Sequence, residues 1–161
     1  MPDRPSPAAV RAWASLVRVQ SLLVAAVQAD LAVAGLPPLE WYDVLLELAR
    51  APQGRLRPFE IEQRVLLAQY NVSRLLSRLE RAGLVAREPC GEDGRGQWVA
   101  ITSSGRARQR EIWRVYGAAI RRHVGDRLSD AEATSLAELL AKLAPIRRVE
   151  TTPSASRAQD R

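Results

Sequence analysis

Apolar residues in the first part of the chain recur at helical spacing. From about Ala8 to Ala34 there is no Gly or Pro, and Val10, Trp13, Leu16, Val17, Leu23, Val24, Val27 and Leu31 mark a stripe. Gly35 and the pair Pro37-Pro38 close the segment. At 1.5 Å per residue its roughly 27 residues span ~40 Å. A small domain needs less for its own core, so part of this helix is expected to pack on a second chain. Leu39–Arg50 reads as a second helix, ended by Ala51-Pro52-Gln53-Gly54. Arg57–Val65 reads as a short third helix with Pro58 in its first turn, where a missing N–H does no harm. A tight connection at Leu66-Leu67-Ala68 leads into a fourth helix, Gln69–Ala82, closed by Gly83.

After Gly83 the period changes from helical to alternating. Leu84–Glu88 and Gln97–Thr102 read as strands, and Pro89 to Gly96 between them is turn chemistry throughout. These predict a two-stranded hairpin with a long charged tip. Ser103 or Ser104 can cap a fifth helix to about His123 or Val124, with Ile112, Val115, Tyr116, Ala119 and Ile120 as its stripe. Ser129 with Glu132 forms a capping box for a sixth helix ending near Leu143. Residues 1–148 are read as one domain and 149–161, rich in Ser, Thr and Arg, as a disordered tail.

The fold class is therefore mainly α with a small β-hairpin. Helix, helix, tight turn, helix and hairpin in this order make a winged helix-turn-helix. The fourth helix carries Val72, Leu75, Leu76, Leu79 and Ala82 on one side. Gln69, Tyr70, Asn71, Ser73, Arg74, Ser77 and Arg78 form its polar face. Arg bonds guanine bidentately, Gln and Asn can bond adenine, and Ser bonds phosphate or base. The N-terminal half of such a helix points into the groove, so Gln69, Ser73, Arg74 and Asn71 are the candidate base readers. At the hairpin tip, Arg95 suits the narrow minor groove, and Asp93 beside it can fix its orientation.

Charge agrees with this assignment. The 161 residues carry a formal net charge of +6, and the pI is about 10.6, which suggests an anionic partner. Between Arg55 and Arg110 eleven arginines face six acids, so nearly the whole excess lies in the predicted DNA-binding half. The apolar share of 47% with only 5% aromatics implies a core of Leu, Val and Ala. One cysteine, Cys90, allows no internal disulfide. The N-terminus has no apolar leader, and its longest apolar run, Leu22–Val27, is too short for a bilayer. The expected location is cytoplasmic, with no membrane partner. A lone His123, no ligand-spaced Cys/His cluster, no phosphate-binding Gly loop and no nucleophile elbow argue against an enzyme, a metal site or a cofactor. The competing class is a winged-helix protein–protein interaction module without operator recognition, which Arg74, Arg78 and Arg95 disfavour.

The stretch Arg55–Gly105 resembles the DNA-binding core of the MarR (multiple antibiotic resistance regulator) family. Its marks occur in order: Leu56-Arg57 with Glu60, Val72-Ser73-Arg74-Leu75-Leu76-Ser77-Arg78-Leu79-Glu80, and Gly83-Leu84-Val85-Ala86-Arg87. The acidic wing tip with Asp93 and Arg95, then Thr102 with Gly105, complete the set. Upstream, Trp41-Tyr42-Asp43-Val44-Leu45-Leu46-Glu47-Leu48 also matches. The resemblance implies a homodimer built by residues 8–36 and 104–144 around a DNA-binding core at about 55–105. Such a dimer reads a pseudo-palindromic double-stranded operator and usually acts as a repressor. Three features depart from the family pattern. Ala68 stands where many relatives carry a Ser or Thr cap, a loss of ~1 kcal/mol unless another group substitutes. Tyr70-Asn71 replaces a small polar pair, and the wing lacks a frequent second arginine.

Family members often release DNA when a small phenolic or aromatic acid binds. One urate-responsive subgroup uses a Trp, an Asp and two Arg. Asp43, Arg74 and Arg87 occupy matching motif positions, with Trp13 as the candidate fourth member. The plainer alternative is a salt bridge between Asp43 and Arg87 that orients the wing, with Trp13 in the dimer core. Some relatives sense peroxide through cysteine, but Cys90 lies in the wing rather than near the first helix and reads as an incidental thiol.

Overall fold

The computed structural model describes residues 4–65, 71–89 and 96–143. It divides into two units, residues 1–127 and 128–161. The first begins with α1 (Pro7–Val33), capped by Ser6, whose Oγ accepts the Ala9 N–H at 3.1 Å. Gly35, at φ 68°, takes the left-handed conformation that ends it. Only the C-terminal turns of α1 enter the core, through Val27 and Leu31, while Val10, Trp13, Val17, Val19 and Leu22 are exposed. By length and composition α1 is also long and apolar enough to cross a bilayer, which the short run Leu22–Val27 did not reveal.

α2 (Leu39–Arg50) starts at Pro38, which offers no capping side chain. Gln28 of α1 supplies the acceptor instead, 3.1 Å from the Leu39 N–H. α2 then serves two apolar clusters. Val44, Leu45 and Leu48 pack with Leu56, Ile61, Leu75, Leu76, Leu79, Val85 and Val99. Leu39 and Tyr42 pack with Val27, Leu31, Ile112 and Ala119.

A 3-10 turn at Pro52–Gly54 leads to β1 (Arg55–Leu56), then α3 (Pro58–Arg64), α4 (Val72–Arg81), β2 (Val85–Pro89) and β3 (Gln97–Ile101). The sheet has three strands in the order β1-β3-β2, all antiparallel. The expected two-stranded hairpin therefore gains an edge strand, and two residues are too few for alternation to show it.

α5 (Ser103–Ile120) is capped by Thr102, not by Ser103 or Ser104. The Thr102 Oγ1 accepts the Gly105 N–H at 2.9 Å and lies 2.8 Å from the Gly83 carbonyl. A Cβ on Gly105 would collide with the Leu84 carbonyl oxygen, so this glycine lets the helix start sit on the wing's first strand. The last stretch, Arg121–Gly125, turns as a π-helix. There Arg122 pairs with Asp30, and the His123 Nε2 lies 3.0 Å from the same carboxylate, tying α5 to α1.

The apolar stripe of α5 lies largely inside the protomer. Ile112 and Ala119 are buried, and Val115 and Tyr116 pack against their cluster. Ile120 alone of that set remains exposed.

The second unit contains α6 (Asp130–Leu143). Its capping box is formed as expected: Glu132 accepts the Ser129 N–H at 2.9 Å, and the Glu132 N–H reaches the Ser129 Oγ at 3.4 Å. The Ser129 N–H and the Ser129 hydroxyl, which both donate to the Glu132 carboxylate, hold it below its ordinary range. Leu136, Leu139, Leu140 and Leu143 are all exposed on it. The expected tail at 149–161 lies outside the described residues.

Candidate nucleic-acid interface

α4 is amphipathic in the strict sense. Val72, Leu75, Leu76 and Leu79 are buried, whereas Ser73, Arg74 and Arg78 face solvent and Ser77 is half-buried. Its start differs from expectation. The helix begins at Val72 and Asn71 is its cap, with the Asn71 Oδ1 accepting the Arg74 N–H at 3.0 Å. Asn71 thus substitutes for the cap that Ala68 cannot provide. As a consequence its side-chain oxygen is engaged locally rather than held free for a base. Gln69 and Tyr70 lie outside the described residues, as do Asp93 and Arg95 of the wing tip and Cys90.

The arginines of this surface fall into two groups. Arg78 donates from Nη2 to Glu40 of α2 at 2.7 Å. Arg87 of β2 is a brace, bonded to Glu80 at 3.0 Å, to the Gln97 Oε1 at 3.1 Å and to the Ser77 Oγ at 3.4 Å. It ties the wing to the fourth helix. Arg74 belongs to the other group: no described residue holds its guanidinium in an ion pair, and its backbone is fixed by the Asn71 cap. Ser73 is exposed beside it, and the Ser77 Oγ donates to the Ser73 carbonyl at 3.0 Å.

A third basic feature escaped sequence reasoning. The guanidiniums of Arg55 and Arg57 lie 5.1 and 5.2 Å from the Trp98 ring centre, a double cation–π contact at the base of the wing. Arg55 is held further by Glu88 at 3.3 Å and Gln53 at 2.7 Å. Finding it required the pairing of β1 with β3, which brings Arg55 opposite Ala100.

Behind the helix-turn-helix, α2 and α5 enclose a pocket of about 500 Å³ lined by Tyr42, Asp43, Arg50, Gln109, Trp113 and Tyr116, among others. Tyr42 stacks on Trp113 at 5.9 Å and meets Tyr116 edge-on at 5.1 Å. Burial raises both tyrosine hydroxyls above their ordinary pKa, and the Asp43 charge adds to the effect. Asp43 is only 4% exposed.

The ligand set expected from the resemblance is not assembled within the protomer. Asp43 lines this pocket, whereas Arg87 lines a separate hollow beside Pro58, Phe59 and Ser73. Arg74 lines neither, and Trp13 stands 68% exposed on α1. The wing strut is also different from the one expected, since the carboxylate on Arg87 is Glu80. Among the described residues no three His, Cys, Asp or Glu side chains group as a metal site.

Known proteins give this geometry a context. The sequence profile of the MarR family matches residues 34–96. The HTH-type transcriptional regulator PapX of Escherichia coli is 36% identical over 64 residues, or 40% of this chain and 39% of that protein. The chain thus matches about two-fifths of the length of that curated relative. Sco3205, a MarR family transcriptional regulator of Streptomyces coelicolor solved in complex with DNA, superposes with a TM-score of 0.78 at 29% identity, covering 89% of each chain. BpsR of Bordetella bronchiseptica, whose DNA binding is regulated by 6-hydroxynicotinic acid, superposes with a TM-score of 0.69 at 25% identity, covering 80% of this chain and 89% of that one. The profile match over residues 34–96 and these superpositions make the chain similar to MarR family regulators over its helix-turn-helix, and its fold is the winged helix-turn-helix that those structures share.

Proposed function

We propose that this protein is a sequence-specific, DNA-binding transcriptional regulator, acting as a cytoplasmic homodimer that represses its target and performs no catalysis. The observation that carries the reading is α4: a helix buried on one side, capped at Asn71, with Arg74 presented to solvent and no carboxylate among the described residues in an ion pair with it. A solvent-facing arginine on a fixed helix is suited to a guanine edge or a phosphate. The DNA complex of Sco3205 supports the same use of this fold.

Dimerisation is supported by apolar surface a lone protomer leaves uncovered, on α1 (Val10, Trp13, Val17, Leu22) and on α6 (Leu136, Leu139, Leu143). A two-fold dimer presents two copies of α4 to half-sites about one helical turn apart. The pocket between α2 and α5 supports a small aromatic acid as effector: three aromatic rings line it, and Arg50 offers a charge for a carboxylate. BpsR gives a precedent for regulation by such a compound.

The decisive experiment is binding of the purified protein to duplexes tiled from its own promoter region, across a salt titration, with Arg74→Ala beside it. Selective binding with a steep salt dependence, lost in Arg74→Ala, supports operator readout by α4. Weak binding indifferent to sequence and to Arg74 would return the protein to the interaction-module class. An operator complex insensitive to aromatic acids at millimolar concentration would count against the effector.

A further inference from the structure

The first turn of α2 and the last turn of α4 are joined by the Glu40–Arg78 ion pair at 2.7 Å. The pair is lopsided: the Glu40 side chain is 13% exposed and that of Arg78 45%. A poorly solvated carboxylate is costlier to leave unpaired than an exposed guanidinium. Glu40 also sits where the free N–H groups of a helix start favour negative charge. Its neighbours Leu39 and Tyr42 are buried, so the backbone that carries it is fixed.

We propose that Glu40 keeps Arg78 out of the DNA contact set, so that the recognition helix engages DNA with one arginine fewer than its sequence offers. The inference rests on the reading of α4 as the DNA-binding helix. An arginine neutralised by a carboxylate at hydrogen-bond distance adds no net positive charge toward a phosphate and displaces no counterion from it. Arg78 stands near the C-terminal end of α4, away from the half that enters the groove, so its natural target is the backbone rather than a base. Holding it back removes affinity that is blind to sequence and leaves Arg74 and Ser73 a larger share of the binding. Glu40 is then a specificity-determining residue that never touches DNA.

The test compares wild type, Glu40→Gln, Arg78→Gln and the double variant on the preferred promoter duplex and on a scrambled duplex of equal length, over a salt series. Glu40→Gln keeps the shape and removes the charge. It should bind both duplexes more tightly and steepen the plot of log K against log salt by ~0.9 per arginine freed, or ~1.8 for a two-fold dimer. Arg78→Gln alone should leave the slope unchanged, and the double variant should return to the wild-type slope. A slope flattened by Arg78→Gln alone, or unmoved by Glu40→Gln, overturns the proposal. If Glu40→Gln fails to fold, the Arg78→Gln arm decides on its own. A wild-type chain that binds no duplex overturns the DNA-binding reading itself, an outcome distinct from intact binding with an unmoved slope.

Discussion

Asn71 shows how one side chain can hold a structural role that its place on the polar face does not reveal. Its spacing on the polar face marked it for base readout, while its geometry assigns it to the Arg74 N–H. Replacing it with Ala should destabilise the protein by about 1 kcal/mol, as helix caps do. Thermal melting checks this, and DNA binding should weaken too because α4 frays where it meets DNA. The sequence held the clue in the absent hydroxyl at Ala68, which requires another cap nearby. What it could not show was that α4 starts three residues later than its apolar period permits. Arg78, a candidate DNA contact, and Arg87, a candidate ligand residue or partner of Asp43, meet carboxylates that lie 38 and 7 residues away, Glu40 and Glu80, and become their neighbours only in the fold. Asp30 adds a pH effect. The bonds from His123 and Arg122 hold its carboxyl below the ordinary 3.8 of an aspartate. A lowered pKa in the folded state means that the unfolded chain binds the proton more readily. The stabilisation is therefore complete above 3.8 and is lost as pH falls below it. Urea titrations between neutral and strongly acidic pH should show the wild type losing more stability in acid than Asp30→Asn.

Between elements, the junction of wing and fifth helix is the most constrained point. Thr102 caps α5 while its hydroxyl and N–H both reach the carbonyls closing α4, and Gly105 packs where no Cβ fits. Gly105→Ala should cost on the order of 1–3 kcal/mol by overpacking, although alanine is the better helix former. A melting temperature raised by that substitution would show that the Leu84 carbonyl can move aside. The Thr-x-x-Gly spacing was legible as a motif, but its reason was not, because it depends on the approach of two elements 18 residues apart. Long periodic elements were the most readable: α1, α2 and α6 fall within a residue or two of expectation, since their stripes run for several turns. β1 was not readable, because two residues carry no period.

For the whole molecule, the question is what covers α1. Its exposed Val10, Trp13, Val17, Val19 and Leu22 are apolar surface that the protomer leaves uncovered, whereas most of the α5 stripe is covered within the protomer. Leu22→Glu, far from α4 in sequence and exposed in the protomer, should yield monomer in sedimentation while leaving the helical content intact. Operator affinity should then fall on the order of 100-fold, because two half-sites are no longer engaged by one particle. An unchanged sedimentation coefficient would move the interface elsewhere.

One element has a thermodynamic role that follows from its position. α2 contributes Val44, Leu45 and Leu48 to the cluster under the wing and Leu39 and Tyr42 to the cluster against α1 and α5. Neither cluster can melt without stripping one side of α2, so residues up to 127 should unfold as a single cooperative unit. Calorimetry should show coincident calorimetric and van't Hoff enthalpies for that unit at fixed protein concentration. The amides of α2 should be the last to exchange with solvent, because only global unfolding exposes them.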